Sequence, residues 1–117
     1  MDKWDHRFMK MTYTIAEWSS CFRAGRSIGC VIVRDGRIIA RGYNRRTARG
    51  NVLQHAEIIA IDRACRKTGD WRLEECELYV TLEPCPMCAG AMVMSQLGSC
   101  IFGAADPQRG CCGSVYD

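Results

Sequence analysis

The sequence predicts an α/β fold: a three-layer α/β/α sandwich built on a mixed sheet of about four to five strands. Three observations carry this. Two β-rich runs, Ile28 to Arg34 and Arg37 to Tyr43, are separated only by Asp35-Gly36, and Asp-Gly supplies the left-handed conformations that a two-residue hairpin turn demands. From His55 onward, helical and strand-like runs alternate, which sets later strands side by side in parallel through right-handed crossovers. An amphipathic helix precedes the hairpin, so both faces of the sheet acquire cover. A chain of 117 residues suffices for one domain and one core, not two.

Taken in order, Asp5 to about Arg23 places Phe8, Met11, Ile15, Trp18 and Phe22 at helical spacing, with Asp2 or Asp5 as cap and Gly25 as stop. An aromatic stripe of this kind belongs to a core. The hairpin follows, and Asn44 stands where the chain leaves the sheet; such an Asn makes a turn or hydrogen-bonds a ligand. Arg45, Arg46 and Arg49 lie among Gly50 and Asn51 in a basic loop, either solvated or set to hold a phosphate. A second helix runs from His55 to about Lys67 with Ile58, Ile61, Ala64 and Cys65 as its buried face, and Gly69 ends it. Leu78 to Leu82 is a continuous apolar run, the pattern of a strand buried on both faces. A third helix, Cys85 to about Met94, is nearly all apolar and is expected to be sandwiched. Gly98 to Gly103 forms the last strand, and Asp106 to Gly110 a loop.

Composition excludes several classes. Hydrophobic content of 48% with 25% charged residues is that of a globular domain. The net charge of +3 is compatible with a phosphate-bearing ligand without requiring one. No apolar run spans a membrane and the N-terminus has no signal-peptide core, so a cytoplasmic protein is expected. The nine cysteines then read as reduced thiols. Cys21, Cys30, Cys65, Cys76 and Cys100 fit as small core residues, and Cys111 and Cys112 are open.

The chemistry concentrates in two short stretches. Thr81-Leu82-Glu83-Pro84-Cys85-Pro86-Met87-Cys88-Ala89-Gly90-Ala91 holds two cysteines three apart behind an apolar strand, and Gln54-His55-Ala56-Glu57 opens the second helix. Positions three apart share a helix face, so Cys85 and Cys88 can chelate one ion from a first turn. Pro84 and Pro86 suit a helix start, where a missing amide does no harm. A helix N-terminus also favours the thiolate that zinc needs. His55, Cys85 and Cys88 are thus read as three ligands to one Zn2+ ion, with Glu57 as the proton carrier beside it. Three protein ligands leave a fourth position for water, the catalytic arrangement. His55 and Glu57 diverge by about 200° if both are helical, so they serve one water only if the helix begins at them. A lone Cys-x-x-Cys also occurs in redox sites and in structural zinc sites, and Cys111 or Cys112 as a fourth ligand would close this one. The joint pattern His-x-Glu followed by Pro-Cys-x-x-Cys, known from zinc-dependent base deaminases, favours the open, catalytic site.

The whole chain resembles the zinc-dependent cytidine/deoxycytidylate deaminase superfamily. From Gly42 onward it is similar to the bacterial tRNA adenosine deaminases. The matching stretches are Gly42-Tyr43-Asn44, His55-Ala56-Glu57-Ile58, Leu78 to Ala91, Phe102-Gly103-Ala104-Ala105-Asp106 and Gly110-Cys111-Cys112-Gly113-Ser114. The resemblance implies deamination of adenosine to inosine in tRNA or other single-stranded nucleic acid, on a homodimer. It implies zinc on His55, Cys85 and Cys88, proton shuttling by Glu57, and a hydrogen bond from Asn44 to the flipped base. Ile28, Ala56 and the Leu82-Glu83-Pro84 backbone would line the pocket, and Asp106 would lie near the RNA backbone. Residues 1–117 are expected to be one deaminase domain without the family's last strand and helix. Trp4-Asp5-x-x-Phe8-Met9 instead resembles the start of a deoxycytidylate deaminase, so the alternative expectation is a deaminase of free cytosine nucleotides or nucleosides, or of guanine. A structural zinc module is the reading from another class, and Glu57 speaks against it, since a closed site has no use for that carboxylate.

Overall fold

The computed structural model describes residues 3–20, 28–43 and 55–104. Within them the order is α1 (Lys3–Ser20), β1 (Gly29–Arg34), β2 (Arg37–Tyr43), α2 (Ala56–Thr68), β3 (Cys76–Leu82), α3 (Pro86–Met94) and β4 (Ser99–Ala104). The four strands form one sheet in the order β2-β1-β3-β4. β1 runs antiparallel to both of its neighbours, and β3 and β4 are parallel. This is the mixed sheet expected, with α3 as the crossover of its parallel pair. The hairpin turn is the one its sequence demands: Asp35 and Gly36 have φ of 52° and 73°.

Strand periodicity sorts the core into two layers. On one side Val31 and Val33 pack with Tyr79 against Phe8 and Met9 of α1, the Phe8 and Tyr79 rings lying 5.4 Å apart. On the other, Cys30, Ile32, Leu78 and Val80 pack with Ala56, Ala60 and Ala64 of α2 and Met92 of α3. α1 therefore covers one face and α2 with α3 the other, the three layers predicted. The register of β1 shifts between Ile32 and Val33, a bulge that lets Ile38 join the α1 layer while Ala40 joins the α2 layer.

Three sequence expectations change. Among the described side chains of α1 the buried ones are Phe8, Met9, Thr12 and Ala16, with Met11 41% exposed and Ile15 half-buried. Thr12 can be buried because its hydroxyl donates to the Phe8 carbonyl at 2.8 Å. On α2 the buried face is Ala56, Glu57, Ile59, Ala60, Ile61 and Ala64, while Ile58 and Cys65 are half-buried. Alanines here let the helix sit close on the sheet, which a search for large side chains overlooks. α3 is not sandwiched: only Cys88 and Met92 are buried, and Val93 and Met94 are each 76% exposed. Cys30 and Cys76 are core thiols as expected, and Cys65 and Cys100 are half-buried. Of the two expected caps of α1, Asp5 lies inside the helix, which already runs from Lys3, and Asp2 lies outside the described residues with the expected stop Gly25, Phe22 and Cys21. No helix among the described residues is long and apolar enough to cross a membrane.

Two glycines set how closely the layers approach. A Cβ on Gly29 would lie 2.3 Å from the Thr12 carbonyl oxygen and 2.8 Å from the Ala16 nitrogen of α1. A Cβ on Gly42 would lie 2.3 Å from the Ala56 carbonyl oxygen and 3.0 Å from the Ala60 nitrogen of α2. Both contacts are to helix backbone, which cannot rotate aside as a side chain can. Gly29→Ala is expected to destabilise the fold by about 1–3 kcal/mol through overpacking. Thermal denaturation checks this, and an unchanged midpoint would show that α1 does not ride on that glycine.

Candidate metal centre

α2 and α3 begin where the sheet ends, and each begins on a metal-ligating residue. His55 is the N-cap of α2, extended at φ −80° and ψ 153°. Cys85 is the N-cap of α3, at φ −77° and ψ 172°, followed by Pro86 in the first turn. Their carbonyls accept the first intrahelical hydrogen bonds, from Ile59 at 3.0 Å and Ala89 at 2.9 Å. Neither side chain is spent on capping its own helix; they turn towards each other instead. Cys88 stands one turn into α3 and is fully buried. Because His55 is extended rather than helical, the divergence expected of it and Glu57 does not arise.

The donors converge. His55 Nδ1 lies 3.8 Å from Cys85 Sγ and 3.6 Å from Cys88 Sγ, and the three ligand atoms all fall within 4.8 Å of one another. A tetrahedral zinc with ordinary Zn–N and Zn–S bonds holds an imidazole nitrogen and a thiolate about 3.6 Å apart. The donor set therefore fits zinc in spacing and softness. His55 Nδ1 is the atom facing the thiols, so the ligating tautomer carries its proton on Nε2, which is fully buried. Among the described residues no fourth His, Cys or carboxylate joins the group; Cys111 and Cys112 lie outside them. Three ligands leave one position open.

Glu57 occupies the first turn of α2 at 4% exposure. Burial raises its pKa, against the lowering effect of its own backbone N–H and of the Cys88 thiol. The Cys88 thiol is pushed far up by burial, then by the Glu57 carboxylate and Cys85. A divalent cation held by these thiols would stabilise both acidic groups as anions and so invert that balance. The positive ends of two helices act in the same direction.

Of the other expected site residues, Ala56 is buried between His55 and Glu57, and Ile28 and Leu82 are half-buried at the same end of the sheet. Glu83 and Pro84 are closed from solvent and form the extended link into α3. The Glu83 amide donates to the Ala104 carbonyl at 2.8 Å, which ties that link to β4. Asn44, Asp106 and the arginines Arg45, Arg46 and Arg49 lie outside the described residues. Sequence reading missed two supports. Thr81 accepts a hydrogen bond from the Gly29 amide at 3.3 Å, and nothing in the sequence marks it. Gly42 lies against the first turn of α2, and a lone glycine inside a strand was the signal. A groove of about 390 Å³ opens at the opposite end of the sheet; there Arg34 pairs with Glu75 and Arg72 with Asp70.

Residues 2–104 match the family described as the cytidine and deoxycytidylate deaminase zinc-binding region. A tRNA-specific adenosine deaminase of Bacillus subtilis (strain 168) is 53% identical over 90 residues, 77% of this chain and 56% of that protein. The chain thus spans little more than half the length of this relative. Among solved structures, one from studies of A-to-I editing by tRNA:A34 deaminases at the wobble position superposes with a TM-score of 0.88 at 42% identity, covering 93% of this chain and 83% of that one. A guanine deaminase from Bacillus subtilis superposes with a TM-score of 0.83 at 37% identity, covering 90% and 66%. Cys88→Ser is expected to lose stoichiometric zinc, whereas Cys76→Ser, which alters a core thiol on the same side of the sheet, keeps it. Metal analysis of the purified variants checks this; equal zinc in both would remove Cys88 from the ligand set.

Proposed function

This chain belongs to the cytidine and deoxycytidylate deaminase family of zinc-binding proteins, and we propose that it hydrolytically deaminates adenosine to inosine in tRNA or other single-stranded nucleic acid. The single observation that carries the reading is an open three-donor site, His55, Cys85 and Cys88, with the buried Glu57 carboxylate against Cys88. The likeness to tRNA adenosine deaminases favours the base and the polymer. We read residues 1–117 as one deaminase domain.

His55, Cys85 and Cys88 hold the zinc. Bound there, zinc supplies Lewis acidity that makes water a nucleophile at neutral pH. The remaining work falls to the chain. Glu57 takes a proton from the attacking water and passes it to the ring nitrogen, which makes the adjacent carbon electrophilic. The hydroxide that remains adds to that carbon; Glu57 then takes the proton of the new hydroxyl and delivers it to the amino group, so that the carbon–nitrogen bond breaks and ammonia leaves as the carbonyl forms. One carboxylate acts as base and then as acid. Asn44 hydrogen-bonds the flipped base, Ile28, Ala56 and the Leu82-Glu83-Pro84 backbone bound the pocket, and Asp106 stands by the nucleic-acid backbone.

The second reading is deamination of a free base or nucleotide, and the likeness to a guanine deaminase favours it. Pocket walls rather than the metal centre choose the base. Ammonia release is expected from a tRNA anticodon stem-loop and not from deoxycytidylate, cytidine or guanine, with affinity falling steeply as salt rises. Glu57→Ala is expected to keep zinc and lose turnover by about 10²–10⁴-fold. Release from guanine alone would establish the second reading, and wild-type turnover in Glu57→Ala would remove the mechanism.

The protein acts as a homodimer in the cytoplasm, in our reading. Reduced core thiols suit that compartment, and the exposed Val93 and Met94 of α3 supply an apolar surface that a second copy covers. Light scattering is expected to give twice the chain mass for the wild type and the chain mass for Met94→Asp. A monomeric wild type, or a Met94→Asp variant that stays dimeric, would move the interface elsewhere or abolish it.

A further inference from the structure

We propose that Gly42 is a positioning residue for the metal centre: its missing side chain sets the height of His55 and Glu57 above the sheet and so their distance from Cys85 and Cys88. Gly42 lies on β2 opposite Cys30, facing α2. The atom nearest to where its Cβ would be is the Ala56 carbonyl oxygen, at 2.3 Å, and the next is the Ala60 nitrogen, at 3.0 Å. Ala56 sits between the ligand His55 and the proton carrier Glu57. A non-bonded carbon and oxygen need well over 3 Å, so a methyl group at residue 42 lifts the first turn of α2 by on the order of 1 Å.

The two cysteines touch α2 but have anchors of their own that hold them against that movement. They lie on the Cys85 turn and α3, anchored through β3 to β1 and β4 rather than to β2. The Glu83 amide ties their entry to Ala104 of β4. His55 would therefore shift against the pair of sulfurs. A metal site tolerates ligand distances only within about 0.2 Å.

Gly29 provides a matched control. Its Cβ would meet the Thr12 carbonyl oxygen at 2.3 Å and the Ala16 nitrogen at 2.8 Å, the same clash against α1 on the other face. α1 carries none of the ligands, and alanine at 29 keeps the backbone amide that donates to Thr81. Steric cost alone predicts equal effects from the two glycines; positioning predicts a difference.

The inference rests on His55, Cys85 and Cys88 holding zinc and is independent of which base is deaminated. Its test is zinc affinity by competition with a colorimetric chelator, together with the visible spectrum of the cobalt-loaded protein. Gly42→Ala is expected to bind zinc at least about 10-fold more weakly than Gly29→Ala and to lose tetrahedral cobalt intensity, at comparable thermal destabilisation. Should Gly42→Ala fail to fold, Ala40→Val replaces it, since Ala40 packs in the same cluster as Ala56 and Ala60 and a larger side chain there lifts the same helix. Zinc affinity and cobalt spectra equal to those of Gly29→Ala overturn the proposal and make Gly42 a packing residue only. A wild type that takes up no zinc would instead remove the metal centre itself, an outcome distinguishable from the first.

Discussion

Everything chemical in this protein depends on two helices starting at the same place. α2 begins at His55 and α3 at Cys85, and their first turns meet beyond the ends of the strands. An N-cap residue is extended, so its side chain leaves the helix axis and is free to point at a neighbour. Placing a histidine and a cysteine at two such positions brings a nitrogen and a sulfur to 3.8 Å without distorting either helix. Cys88, one turn along, completes the set from a rigid position.

Burial is what makes this arrangement unfavourable for isolated acids and favourable for a metal. Glu57 is 4% exposed and Cys88 fully buried; burial raises the proton affinity of both, the carboxylate raises that of the thiol further, and the thiol's hydrogen bond lowers that of the carboxylate. The sheet closes the site from below, α2 from one side and the Pro84–Cys85 link from the other. Soft donors, one buried and two half-buried, select a thiophilic cation, and a carboxylate one residue beyond Ala56 has a proton role only if a ligand position stays open. The same geometry is thus economical for hydrolysis and poor for a purely structural site.

The fold secures that geometry through unusually close layer packing. Alanines at 56, 60 and 64 and a glycine at 42 bring α2 onto the sheet, while Gly29 does the same for α1. Small residues give up apolar area and gain precision, because backbone-to-backbone contacts leave no rotamer freedom. α3 shows the reverse at its far end, where Val93 and Met94 face outward. Its sequence is apolar on every side, yet only the side that carries Cys88 and Met92 is buried.

The fold class, the hairpin, the order of elements and the candidate metal-binding residues were legible from sequence because each rests on local chemistry. Asp-Gly fixes a turn, strand and helix runs alternate, and cysteines three apart at a helix start share a face. The burial of each helix was not legible locally. Phe8 and Met11 have the same periodic weight, yet only the first is buried; Val93 and Met94 look like core and are not. Burial is decided by what stands opposite a side chain, and that depends on strand order and on the register shift at Ile32 and Val33. The amino-acid sequence by itself determined which atoms could hold a metal. Only the tertiary structure decided that an imidazole and two thiols thirty or more residues apart share one point, since no short-range rule places β3 between β1 and β4.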